Sequence, residues 1–267
     1  MSVSRAVTSS IGRAANRAIY TERRPFNPLD IPGLKLWLDA SDINTVDLRL
    51  SQYVTTWYDK SGNGNHFSQS TPTNQPEYQL NQQNGRATIS VNDVNLGHLT
   101  CVNDFITTDT GTWFFVFQSD LNGIQAAPTL MADYVQQAAN PIVLVRSENK
   151  GSQDVFFARD AAGNSLRVRP ILVSTYSLLI CTRKPGRLDT DYNGATAGLS
   201  GAYGSQIYAG GGPTPMLGSQ PNLVPPGANP VTQMKGHIAE VLYYGRELNS
   251  SEKDRLKNSY LKPRWAL

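Results

Sequence analysis

Short runs of apolar residues, many of them β-branched or aromatic, recur along the chain with a period of two and are punctuated by glycine, proline and asparagine. Residues 34–38, Leu-Lys-Leu-Trp-Leu, predict a first strand with Leu34, Leu36 and Leu38 on one face and Trp37 opposite. Residues 54–59 and 85–91 predict two more, separated by a polar stretch, 66–84, that reads as loop. Thr112-Trp-Phe-Phe-Val-Phe is the most apolar run and predicts a central strand, buried on both faces. Residues 141–146, 154–159 and 171–183 continue the sheet, and Asn193-Gly194 predicts a tight hairpin. Residues 198–230 are rich in glycine and proline; a loop of that length either carries function or wraps irregularly over the edge of the domain.

Residues 236–244, Gly-His-Ile-Ala-Glu-Val-Leu-Tyr-Tyr, predict a strand apolar on both faces. Simple alternation places Ile238, Leu242 and Tyr244 on one side and Ala239, Val241 and Tyr243 on the other. Glu240 then needs a partner or a sheet edge. Asn249 and Glu252 have the spacing of a capping box, so a helix starts there; Leu256 and Tyr260 form its buried stripe and Pro263 ends it.

The terminal pattern Gly-x-Ile-Ala-Glu-Val-Leu-x-Tyr, followed by Arg-Glu-Leu-Asn-x-x-Glu and a helix ending in Tyr-Leu and Trp, resembles the laminin-G-like, concanavalin A-like jelly-roll domains. Residues 32–42 (Pro-Gly-Leu-Lys-Leu-Trp-Leu-Asp-Ala-Ser-Asp) and 57–66 (Trp-Tyr-Asp-Lys-Ser-Gly-Asn-Gly-Asn-His) resemble the same family. Together these stretches bracket residues 32–265. The resemblance implies an all-β, concanavalin A-like jelly-roll sandwich with a short C-terminal helix and an extended or helical N-terminal arm. Many such domains occur in secreted adhesins and bacteriophage virion proteins, and the fold carries lectins, enzymes and inert spacers alike.

Composition adds that one large domain fits 267 residues better than two small ones, and that no apolar run reaches membrane-spanning length. Cys101 and Cys181 allow one disulfide, though two buried thiols is the plainer reading. The formal charge of +3 is unevenly placed: five arginines against Glu22 alone give residues 1–24 a charge of +4, leaving −1 on the rest. A near-neutral body argues against nucleic acid as a partner. The division that follows is a basic arm at 1–24, a proline-rich linker at 25–31 and the jelly roll at 32–267. Val3, Val7 and Ile11 fall on one side of a helix in the arm. With Arg5, Arg13, Arg17, Arg23 and Arg24 they would contact a partner; a transit peptide and a disordered tail are the competing readings.

Candidate chemistry is sparse. Asp59, Ser61, Asn63 and Gly64 match the first half of a calcium loop, but the twelfth position is Ser70, which lacks the bidentate carboxylate, so a self-bonded turn is expected and no metal or other cofactor. The paired-carboxylate strand pattern of glucanases, a zinc-type histidine pair and a Gly-x-Ser-x-Gly elbow are all missing. Trp57, Tyr58, Asp59, Asn63, Asn65 and His66, with Tyr203 and Tyr208, could supply the aromatic face and amides of a sugar site; otherwise Trp57 is core and the asparagines are turn residues. With the charge asymmetry, the family resemblance implies a non-enzymatic bacteriophage virion protein of capsid, tail or baseplate, docked by its arm and homo-oligomeric within the assembly. The alternative is a module that recognises cell-surface glycan.

Overall fold

The computed structural model describes residues 24–92, 96–108, 110–120, 129–133, 143–149, 153–159, 165–168, 172, 174–200, 215–219 and 234–267. In chain order the first strands are β1 (Leu34–Asp39), β2 (Val46–Arg49), β3 (Tyr53–Trp57), β4 (Phe67–Ser68), β5 (Glu77–Gln83) and β6 (Arg86–Val91). Then come β7 (Leu99–Thr100), β8 (Gly111–Ser119), β9 (Thr129–Asp133), β10 (Val143–Asn149), β11 (Gln153–Arg159) and β12 (Ser165–Val168). The last are β13 (Ser177–Lys184), β14 (Arg187–Tyr192), β15 (Ala195–Ser200), β16 (Met216–Leu217) and β17 (Gly236–Tyr244).

Every described pairing is antiparallel. One layer runs β1–β17–β8–β13–β14–β15, with β6 and then β5 joining the early part of β17. The other runs β2–β3–β4–β7–β16–β9–β10–β11–β12. A single pair, Tyr53 with Glu77, joins the two, and the core between them takes side chains from both. This is an antiparallel jelly-roll sandwich with a short C-terminal helix.

The most apolar run is central, as its composition requires: β8 lies between β17 and β13, and Trp113 stacks on Tyr243 with ring centroids 4.6 Å apart. Two glycines admit this packing. A Cβ on Gly236 (φ +145°) would lie 2.1 Å from the Gln118 carbonyl oxygen, and one on Gly111 would lie 2.5 Å from the Tyr243 ring.

Several expectations are corrected. In β17 a bulge between Ile238 and Glu240 breaks the alternation, so Ile238 joins Val241 and Tyr243 in the core while Ala239 joins Leu242 and Tyr244 outside. A similar irregularity in β1 leaves Leu36 and Leu38 in the core but turns Leu34 outward with Trp37. Residues 66–84 are not all loop: β4 and β5 lie there. β5 reads as polar because it has one core-facing anchor, Tyr78, and it turns into β6 through Asn84-Gly85, both at positive φ. Pro263 does not end the helix either. Helix α1 (Ser250–Asp254) passes into a π-helical turn (Arg255–Leu261) and then α2 (Lys262–Trp265). The wide turn, in which the Lys262 N–H donates to the Lys257 carbonyl, makes room for a proline that has no N–H to place. It also respaces the buried stripe to Leu256, Leu261 and Trp265, with Tyr260 half-buried beside them.

Residues 25–31, the proline-rich linker, are fastened to the domain. Pro28 and Ile31 are buried, Phe26 packs beneath the Arg255 guanidinium at 4.3 Å, and the Tyr244 hydroxyl donates to the Pro28 carbonyl at 2.9 Å. With the helix, this segment covers the outer face of the first layer.

Candidate functional site

The outer face holds a carboxylate that the sequence flags as needing partners. Glu240 is fully buried, and each oxygen is taken. Oε1 accepts from Trp37 Nε1 at 2.9 Å and from the Tyr260 hydroxyl at 2.8 Å; Oε2 accepts from Trp265 Nε1 at 2.6 Å. Arg264 Nε lies 3.4 Å from Oε2, a charge contact rather than a hydrogen bond. Arg264 Nη2 donates instead to Asp39, which is also buried and which accepts from Lys60 at 2.9 Å and from the Ser41 N–H and hydroxyl. Burial, and then the nearby Asp39, push the Glu240 carboxyl up to about 7 against the pull of Arg264 and the indole and phenol donors. Burial would raise Asp39 too, but Arg264 and Lys60 together hold it below the usual carboxylate range. Neither carboxylate has an open oxygen facing solvent. This pair clamps the terminal helix to the sheet.

The segment 57–66 is equally occupied. Trp57 is fully buried in the core. Asp59 Oδ1 accepts from the backbone N–H of Trp37 (2.9 Å) and of Ser61 (2.8 Å); Oδ2 accepts from the Ser61 hydroxyl (2.7 Å) and the Asn65 N–H (3.0 Å). Asn63 and Asn65 donate to the carbonyls of Leu34 and Lys35, and His66 Nδ1 accepts from the Asp59 N–H. Tyr58 meets His66 edge-on and donates to Asp47. The turn therefore pins β1 to the end of β3, and of its six candidate sugar contacts only Tyr58 and His66 present rings near the surface. Tyr203 and Tyr208 lie outside the described residues, as do Val3, Arg5, Val7, Ile11, Arg13, Arg17 and Arg23. Arg24 pairs with Asp30. Among the described residues, no group of histidine, cysteine and carboxylate side chains is placed to hold a metal ion.

An open cavity lies instead between the terminal helix and the outer face of β13, β14 and β15, with a volume of about 350 Å³. Its walls follow from alternation. In β14, Leu188 and Tyr192 point to the core, so Arg187, Asp189 and Asp191 stand on the opposite face, towards Lys253, Asp254 and Lys257 of the helix. Arg187 Nε donates to both Asp189 oxygens at 2.9 and 2.8 Å. Asp191 accepts from Lys257 through one oxygen and from the Gly194 N–H at 2.6 Å through the other. The Lys253 ammonium and the Asp254 carboxylate make no hydrogen bond or ion pair among the described residues. Thr182, Thr196 and Ser250 add hydroxyls to the lining. Three cations balance three carboxylates, and the lining mixes donors with acceptors throughout.

Asp189 and Asp191 share a face at i, i+2, a spacing that glycoside cleavage could use. Cleavage requires one carboxyl to donate a proton and another to attack or activate water, and here Arg187 and Lys257 already occupy the two. Of the three groove carboxylates, Asp254 alone is left without a cation among the described residues. Sequence reasoning did not find the groove, though its signal is present: Arg-Leu-Asp-Thr-Asp-Tyr ahead of Asn-Gly alternates charged with uncharged residues, which commits three charges to one face of a hairpin.

No family model matches the chain, and no curated protein does. Among solved structures, domain 4 of the GH43 extracellular arabinanase AbnA from Geobacillus stearothermophilus, in complex with arabinotriose, has a TM-score of 0.56. Its identity to this chain is 13%, over 82% of the chain and 95% of that domain. Trypanosoma rangeli sialidase gives 0.50 at 16% identity, over 85% of this chain but 32% of its own, so this chain spans about a third of that enzyme. These are likenesses of fold: the chain is similar to β-sandwich domains found in glycan-acting proteins.

Proposed function

We propose that this sandwich is a non-catalytic carbohydrate-recognition module that holds saccharide in the groove between β14 and the terminal helix. The observation that carries the reading is the groove's balance of donors and acceptors. Sugar hydroxyls both give and take hydrogen bonds, so a neutral lining that interleaves carboxylates, ammonium groups and hydroxyls suits them better than it suits an ion or an apolar ligand. The arabinanase domain that shares the fold was solved with a bound trisaccharide, which supports the reading by analogy. Two of the three groove aspartates, Asp189 and Asp191, are held by cations, which favours binding over hydrolysis.

Titration of the full chain with arabino-, xylo-, gluco- and galacto-oligosaccharides tests it. Lys253→Ala removes an ammonium and Asp254→Asn a carboxylate that have no partner among the described residues, so each should weaken binding about three- to tenfold with the fold unchanged. Binding indifferent to both, or no binding to any of these sugars, would overturn the reading.

A second reading keeps the virion role, in which the basic arm docks the sandwich to a capsid, tail or baseplate partner. What favours it is the way residues 26–31 are fastened under Arg255 and Tyr244, so that a load on the arm would pass into the sheet. Deleting residues 1–23 should then leave a folded domain that fails to enter the particle; unchanged incorporation would sink this reading.

A further inference from the structure

A second cluster lies on the same outer face, at the opposite end of β13 from the groove. Across the sheet stand Thr88 on β6, His237 on β17 and Gln118 on β8, with Tyr176 just ahead of β13. Tyr176 and Ile180, a groove residue, share a face of one extended segment four residues apart, about 13 Å. Leu178 between them is covered, so the two places are separate.

A short hydrogen-bond chain links this cluster. The Tyr176 hydroxyl donates to Thr88 Oγ1 at 3.3 Å, and Thr88 Oγ1 lies 3.1 Å from His237 Nδ1. Thr88 is fully buried, and with the Tyr176 proton given to its oxygen its own proton goes to His237 Nδ1. In that arrangement the imidazole carries its proton on Nε2, and that N–H makes no hydrogen bond among the described residues. Burial pushes the His237 pKa down, which keeps the ring neutral at physiological pH. Beside it, Gln118 Nε2 and the Ser174 hydroxyl both donate to Asp120 Oδ1, at 3.1 and 2.8 Å, while Oδ2 accepts no hydrogen bond among the described residues. The half-buried Tyr176 and His237 rings lie 6.1 Å apart at 48°. An oriented donor, a fixed carboxylate oxygen and two aromatic rings stand together.

We infer that Tyr176, His237 and Asp120 form a second saccharide contact, distinct from the groove: a sugar ring packs its apolar face on the aromatic pair, and its hydroxyls bond His237 Nε2–H and Asp120 Oδ2. The ligand class rests on the carbohydrate reading given above; the site does not. Two contacts on one face would make the module bivalent, raising its avidity for a repeating glycan without any new bond.

Amide and imidazole NMR of the full chain, titrated with arabinose, xylose, glucose, galactose and their disaccharides, separates the two sites. The expected result is two groups of shifting signals, one around Lys253 and one around His237. His237→Ala should abolish the second and spare the first, and Lys253→Ala the reverse. Tyr176→Phe keeps the ring but releases Thr88, so it should weaken the second contact about threefold while the protein stays folded. Shifts confined to the groove and unchanged in both His237→Ala and Tyr176→Phe would overturn this contact alone. No shift with any sugar would overturn both contacts.

Discussion

The Trp265 indole donates to Glu240 Oε2 at 2.6 Å, so the last helical turn is tied to the middle of β17 by a bond inside a dry interface. With Trp37 and Tyr260 on the other oxygen and Arg264 alongside, one carboxylate joins β1, β17 and the helix. Glu240→Ala would strand three donors and a guanidinium together. We expect a loss of about 3–5 kcal/mol of unfolding free energy, against about 1–3 kcal/mol for Trp265→Phe, which removes one donor. Urea titration measures both, and a Glu240→Ala loss below that of Trp265→Phe would contradict the clamp.

The same clamp sets a pH dependence. Glu240 is raised in the folded state, from an ordinary 4.5 to about 7. Its contribution is therefore complete below 4.5 and is lost as pH rises through 7. Asp39 is lowered, so its contribution is present above the ordinary carboxylate range and is lost as pH falls through its folded-state value. Melting temperature should pass through a maximum in mildly acid solution and decline between about pH 4.5 and 7. Glu240→Gln should flatten that decline while keeping the acid limb; a variant that retained the decline would assign it to another group.

How far this structure can be read in the sequence depends on whether a feature is local. The capping box at Asn249 and Glu252 was legible and is present, because a cap is decided within four residues. The need of Glu240 for a partner was also legible; the identity of Trp37, Tyr260 and Trp265 as its donors was not, since they meet only once strand and helix have packed. The faces of Ile238 and Leu34 were misjudged because bulges leave no mark in hydrophobicity, and β5 was missed because an edge strand with one apolar anchor looks like loop. The groove and the His237 cluster arise between elements far apart in the chain: alternation in β14 marks one wall of the groove, but no local pattern says that the terminal helix faces it.

One strained turn gives a stability gain. Leu50 and Ser51, between β2 and β3, have φ of 54° and 57°, and Leu50 is 76% exposed. A branched side chain in the left-handed region gains nothing there from burial. Replacing the pair with Asn-Gly fits the hairpin turn and should stabilise the protein by about 1 kcal/mol. Differential scanning calorimetry reads this as a higher melting temperature, and a lower one would mean that Leu50 is held by a contact.

Asp59 offers the sharpest separation of turn from ligand site. Its two oxygens already accept four hydrogen bonds, three of them from the backbone N–H groups of Trp37, Ser61 and Asn65. Asp59→Ala would leave those donors unmet at the junction of β1 and β3, at a cost of about 3 kcal/mol. Loss of sugar binding in that variant would then reflect a damaged fold. The same filled shell leaves no oxygen for calcium, which asks for six to eight. Millimolar calcium or a chelator should therefore leave the melting temperature unchanged in the native protein, while Asp59→Ala lowers it in either buffer. A calcium-dependent rise that Asp59→Ala abolishes would show that the turn opens to bind metal and that its internal bonds are a resting state.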